Sequence, residues 1–247
     1  MTLFETFGWH TPLADYLSRL PESYPDAGAP NFKDALWSYR GAHDCAATCA
    51  ILVGDQQAAL TSARECVRAS IDHFHGNWRK GAAIQSNQPK WNPYDWFNNA
   101  PDGLFWGSII GDWQSVALLA RFPRVPPKWE WPDHAYFGLL GFFLRGESLE
   151  HHVQTVDFIL GKKKHQPKLL LDCLLALASR SATKLQQAWV RYLEYFLKHE
   201  RNKDRLTLLQ SRNASFYAAA AKYHELPLDV PDKYKNYVVA SLGKKGG

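Results

Sequence analysis

The chain has a single methionine, only four cysteines in 247 residues, and no apolar run approaching the roughly 20 residues that a membrane-spanning helix needs. Each scarcity excludes something. Cys45, Cys49, Cys66 and Cys173 are too few and too scattered for a disulfide framework, and no paired Cys-x-x-Cys of a zinc site occurs, so they are expected as buried free thiols. The opening Met1-Thr2-Leu3-Phe4-Glu5 lacks a basic stretch followed by an apolar one. With no spanning segment either, the expected location is the cytoplasm, without a membrane partner. Apolar and polar residues nowhere alternate with a period of two over a strand length, which excludes a substantial sheet. No glycine-rich phosphate loop, nucleophile elbow or zinc-protease motif is present. The sequence thus points to no enzyme, no catalytic residue and no cofactor.

What is present is helical periodicity in a chain of ordinary globular composition, 46% apolar and 21% charged. Three times an apolar helical run stops at Gly plus an acid and restarts: Ile51-Leu52-Val53-Gly54-Asp55, Ile109-Ile110-Gly111-Asp112 and Phe143-Leu144-Arg145-Gly146-Glu147. Glycine takes the left-handed conformation that ends one helix, and the acid caps or charge-complements the free N–H groups that start the next. The pattern predicts one all-α domain over residues 1–247, an irregular stack of antiparallel helical hairpins, repeat-like or bundle-like. The turns are 57 and then 35 residues apart, too uneven for a regular repeat array.

A short helix is expected at Thr11–Leu17. The first long hairpin is expected over 32–75, its facing surfaces rich in Ala, Cys and Ser and so able to approach closely. Residues 76–107 break the pattern with frequent Gly, Pro and Asn and read as an irregular insert. Seven of the ten tryptophans fall between Trp78 and Trp131, and they either pin this region to the helices or present it to a partner. In the run Trp91-Asn92-Pro93-Tyr94-Asp95-Trp96-Phe97, the residues Trp91, Tyr94 and Trp96 are candidate partner contacts, because Trp and Tyr dominate binding hot spots. Further helices are expected over 113–120, 133–144, up to Leu160, 168–179, 183–199 and 206–224, with a flexible basic tail at 243–247.

Charge is divided along the chain. Residues 1–100 carry 8 Lys and Arg against 10 Asp and Glu, whereas residues 101–247 carry 21 against 14. Much of the excess lies in Lys162, Lys163, Lys164 and Lys168. A solvated loop explains such a run, and so does an electrostatic patch for an acidic partner or a phosphate backbone. Aromatic residues are not interleaved with these lysines as in a nucleic-acid stacking groove, which argues against a nucleic-acid partner.

Other candidates for chemistry have structural explanations. His73 and His75 stand about 200° apart on a helix, and His151 and His152 are adjacent, so neither pair shares a metal unaided. His43 and Asp44 beside Cys45 diverge along a helix and give no base-to-nucleophile geometry.

Several segments taken in order resemble a known family. They are Leu52-Val53-Gly54-Asp55 with Ala58-Ala59; Ser108 to Trp113 leading into Leu118-Leu119-Ala120; Leu174 to Ala178 followed by Tyr192-Leu193 and His199; and Ala218 to Ala221 ending in Leu226-Pro227-Leu228-Asp229-Val230-Pro231. Over roughly residues 35–232 the chain resembles the all-α immunity proteins of bacterial polymorphic toxin systems, in particular immunity protein family forty-nine. The tryptophan-rich insert and Glu147 in place of Asp depart from that pattern. The resemblance implies a cytosolic antidote without catalytic residues that binds a cognate toxin or effector and blocks it. Because the chain is basic, the toxin is expected to present an acidic face. A tetratricopeptide-like adaptor or chaperone holding a protein or peptide is the alternative, although the 34-residue period of that family is missing.

Overall fold

Five helices finish on a residue in the left-handed region, and these endings set the architecture. A computed structural model describes residues 11–29, 31–75, 94–121, 128–201, 210–239 and 242, apart from the side chains of residues 75, 94, 95, 98 and 99. Its helices are α1 (Leu13–Leu17), α2 (Phe32–Val53), α3 (Gln56–His75), α4 (Tyr94–Ile109), α5 (Trp113–Leu119), α6 (Pro132–Leu144), α7 (Val153–Leu160), α8 (Gln166–Ala178), α9 (Ala182–Tyr195) and α10 (Arg212–Tyr223). Short 3-10 turns at Leu149–His152 and Asp232–Tyr237 and a π turn at Phe196–Glu200 complete the order. No strand occurs among the described residues, so the all-α stack of hairpins read from the sequence is the fold.

The three Gly-acid turns close α2, α4 and α6 with Gly54, Gly111 and Gly146 at φ 85°, 77° and 79°. The following N–H reaches back to the carbonyl five residues earlier, as in Asp55 N–H to Ala50 O at 2.8 Å and Asp112 N–H to Gly107 O at 2.8 Å. This 6→1 bond satisfies carbonyls that a helix end leaves open. Asp55 and Asp112 also cap the next helix, accepting from Ala58 N–H at 2.9 Å and Ser115 N–H at 3.0 Å. Glu147 does not cap. It pairs with Arg145 at 2.6 Å and with His152 at 3.3 Å, and Ser148 takes the capping position. Two further endings of the same type carry no glycine: Arg180 after α8 at φ 51° and Glu225 after α10 at φ 57°.

Helices α2 and α3 pack along their length through Ala46, Ala50, Ala59, Ala63 and Cys66, all 0% exposed. Small side chains let the two backbones approach. All four cysteines are free thiols, as expected.

The reading of 76–107 as an irregular insert fails from Tyr94 onward, because α4 runs unbroken from Tyr94 to Ile109. Residues 76–93, Trp91 among them, lie outside the described residues, as does the tail 243–247. The glycines that looked like breakers are contact points. A Cβ on Gly103 would stand 2.6 Å from Ser70 Cβ, and one on Gly107 would stand 2.8 Å from Val116 Cγ2. Tertiary packing therefore overrides the weak helix propensity of glycine and of Pro101.

The largest core cluster gathers Trp96, Tyr136, Leu174, Trp189, Tyr192 and Tyr217 from five helices. Each buried tryptophan finds an acceptor for its indole N–H: Leu119 O for Trp96, Asp44 Oδ1 for Trp106, Thr155 Oγ1 for Trp129 and Ala214 O for Trp189, all at 2.7–3.0 Å. The Tyr136 hydroxyl meets that of Tyr217 at 2.8 Å, and Tyr217 donates to Leu170 O at 2.9 Å, which ties α6, α10 and α8 together. Arg212 on α10 joins three helices ionically, reaching Asp44 on α2 and Asp102 on α4 at 2.6 Å each.

Candidate functional site

The cationic segment found in the sequence is a loop held in place at both ends. It leaves α7 at Gly161 and enters α8 at Gln166, with Pro167 in the first turn, where a missing N–H costs nothing. Lys162, Lys163 and Lys164 are exposed and Lys168 is half-buried. The Lys164 ammonium pairs with the Asp133 carboxylate from the first turn of α6. Lys162 Nζ lies 4.3 Å above the Phe158 ring, which orients the chain while leaving its charge in water. Among the described residues no carboxylate pairs with Lys162, Lys163 or Lys168, so three of the four lysines are uncompensated.

Beside the loop, α9 passes into the π turn Phe196–Glu200, closed by Arg201 N–H to Phe196 O at 2.8 Å. Tyr195 stands between two imidazoles, 5.5 Å from the His165 ring and 4.7 Å from that of His199. Glu200 accepts from the Tyr192 hydroxyl at 2.9 Å. Burial pushes its carboxyl above the usual range, against the hydrogen bond from Tyr192 and the charge of Lys164, while Asp133 adds to the rise. Loop, α6 start and π turn thus form one electrostatically connected surface.

The approach to α6 adds the most informative aromatic. Trp129 is 9% exposed: its indole donates to Thr155, meets the Phe97 ring edge-on at 5.2 Å, and lies on Gly138, where a Cβ would collide with it. The chain between is extended, with Trp131 at φ −118° and ψ 131°. Successive side chains of extended backbone leave on opposite sides, yet Trp131, two residues on, is 59% exposed. The turn into α6 carries it outward, two residues from the Asp133 that holds Lys164. An exposed indole, between Glu130 and Asp133 in sequence, therefore stands two residues from the carboxylate that holds the cationic loop.

The predicted contacts fare differently. Trp96 is 0% exposed in the main core, with its N–H bound to Leu119 O and its ring edge-on to Phe97. It pins α4 to α5 and is corrected from partner contact to core residue. The side chain of Tyr94 and the whole of Trp91 lie outside the described residues. Lys162, Lys163 and Lys164 lie in the loop described above, and Lys168 follows in the first turn of α8. Trp131 was missed because its exposure comes from the bend into α6, which composition does not announce.

Other parts of the molecule offer less. A shallow cleft of about 200 Å³ between α3 and the Gly111 turn is lined by Arg64, Val67, Ile71, Ile110 and Asp112. Burial pushes the Cys49 thiol up to about 11 and those of Cys66 and Cys173 still further, so they stay protonated near neutral pH. His43 is 6% exposed with no hydrogen bond to either ring nitrogen among the described residues, and burial lowers its pKa. Among the described residues no three His, Cys, Asp or Glu side chains are grouped to hold a metal, and no helix is long and apolar enough to cross a membrane.

No family model matches the chain, and no curated protein or solved structure matches it.

Proposed function

We propose that this protein is an immunity protein, a cytoplasmic antidote that binds a cognate bacterial toxin and neutralises it by occlusion. One observation carries the reading on the structural side: a rigid helical scaffold presents a braced loop that, with the first turn of α8, carries three uncompensated lysines. A field of one sign fixed to a rigid body suits fast, steered association with an acidic protein. The ordered segments that resemble the all-α immunity proteins supply the partner class. The adaptor reading is weaker, since the 34-residue period of tetratricopeptide arrays is missing from the sequence.

The test is co-expression with the product of the adjacent gene, scored for growth and for a complex that co-purifies. Rescue of growth together with a stable complex is expected. Unchanged toxicity without a complex would overturn the reading and bring the adaptor forward.

A further inference from the structure

We propose that Trp131 is the anchor residue of a binding face joined through the Asp133–Lys164 pair to the cationic segment of Lys162, Lys163 and Lys168, and that the face takes a protein whose complementary surface is an indole-accepting pocket with carboxylates on the side that meets the lysines. The inference rests on the functional reading above and names the surface that reading leaves open.

Two neighbouring observations favour this face. Trp131 is among the most exposed large hydrophobic residues described, at 59%. An indole left in water and joined through Asp133 to a fixed charge cluster has the composition of an interface hot spot, a rigid aromatic with a polar rim. The segment 162–168, loop and first turn of α8, contains four lysines and no acid, and Asp133 neutralises only Lys164. Charge complementarity therefore selects an acidic occupant. A nucleic acid is the weaker candidate, because the face offers one projecting aromatic and a single cationic loop. A strand-binding groove needs a row of stacking rings, and a duplex needs several cations spread along the phosphates.

Trp37 supplies an internal comparison. It is equally exposed, at 59%, but sits on α2, which among the described residues has no link to the four lysines of the cationic segment, whereas Trp131 is two residues from the Asp133 that pairs with Lys164.

The experiment measures binding of the full chain to a catalytically inactivated product of the adjacent gene. Trp131→Ala is expected to weaken Kd by about 30-fold or more, the effect of losing a hot-spot aromatic, and Trp131→Phe to recover much of the loss. Lys162→Glu, Lys163→Glu and Lys168→Glu together should slow association by about tenfold at low salt, a difference that shrinks as screening increases. Lys164→Ala should do much less, its charge being already paired. Trp37→Ala should leave Kd unchanged. Melting temperatures of the Trp131 variants should match the native chain, since the side chain is exposed and does not cap α6.

If the native chain forms the complex but Trp131→Ala binds equally well, or if Trp37→Ala is the damaging change, this inference is overturned and the functional reading stands. If the native chain forms no complex, the functional reading falls and takes this inference with it. Binding of a plain duplex DNA fragment that the lysine changes abolish and Trp131→Ala leaves intact would also overturn it, in favour of a phosphate backbone.

Discussion

Arg180 and Glu225 occupy positions that glycine fills at the other three helix endings of the same kind. Both are left-handed, at φ 51° and 57°, and both support the same backward hydrogen bond, Ser181 N–H to Ala176 O at 3.1 Å and Leu226 N–H to Ala221 O at 2.8 Å. A side chain with a Cβ pays roughly 1 kcal/mol to adopt that conformation. Glycine adopts it freely but has a more flexible unfolded chain, so the net gain is smaller than the strain relieved. Glu225 is exposed. Glu225→Gly is therefore expected to stabilise the protein by about 0.5–1 kcal/mol, seen as a higher urea midpoint with an unchanged slope. A lower midpoint would mean that the Glu225 side chain contributes more than its backbone costs.

Glycine means different things within two helices, and this separates them experimentally. A Cβ at Gly41, exposed on α2, would meet nothing within 4 Å. Gly41→Ala should gain about 0.5–1 kcal/mol through helix propensity. At Gly103 on α4 the same Cβ would stand 2.6 Å from Ser70 Cβ and 2.7 Å from Leu119 Cδ1. There overpacking of about 1–3 kcal/mol outweighs the propensity gain, so Gly103→Ala should lower the thermal midpoint while Gly41→Ala raises it.

The same contrast explains what was legible in the sequence. The hairpin of α2 and α3 could be read because its signals are local: a three-and-four apolar period, a glycine and a capping Asp. α4 could not, because its Gly103, Gly107 and Pro101 look like breakers until Ser70 and Val116, distant in sequence, are brought against them. The endings at Arg180 and Glu225 escaped for a related reason. Their left-handed conformation is not one that the residue type announces. Likewise the cationic loop was visible as a charge run, while Trp96 and Trp131 share a residue type and differ only in what the fold does to each. The π turn at Phe196–Glu200 left no pattern in the sequence at all.

At the scale of the whole molecule, Arg212 ties the late helix α10 to the earlier helices α2 and α4. It lies 168 positions from Asp44 and 110 from Asp102, and Trp106 adds a hydrogen bond to Asp44 at 2.7 Å. Such a cluster is weak evidence for stability as a whole, since each charge loses hydration, but removing one partner leaves the others uncompensated. Arg212→Met would leave Asp44 and Asp102 facing each other with Arg40 the remaining cation, 3.7 Å from Asp102. Because the Arg212 and Asp102 side chains keep 23% and 30% of their exposure, the cost belongs at the lower end of the range for broken buried pairs, about 3 kcal/mol. Its pH dependence follows from Asp102. Burial and the charge of Asp44 already raise its pKa, and Arg212 is the largest influence opposing them. A carboxyl whose pKa is higher in the folded state than in the unfolded chain binds its proton more tightly when folded. Its contribution is then full below the unfolded value of about 3.9 and is lost as pH rises through the folded value. Arg212→Met raises the folded value further, so the deficit against the native chain should be largest near neutral pH. It should narrow as pH falls through the acidic range. Urea midpoints for both chains from pH 4 to pH 7.5 measure this directly, and a deficit independent of pH would show that Arg212 acts through packing and not through its charge.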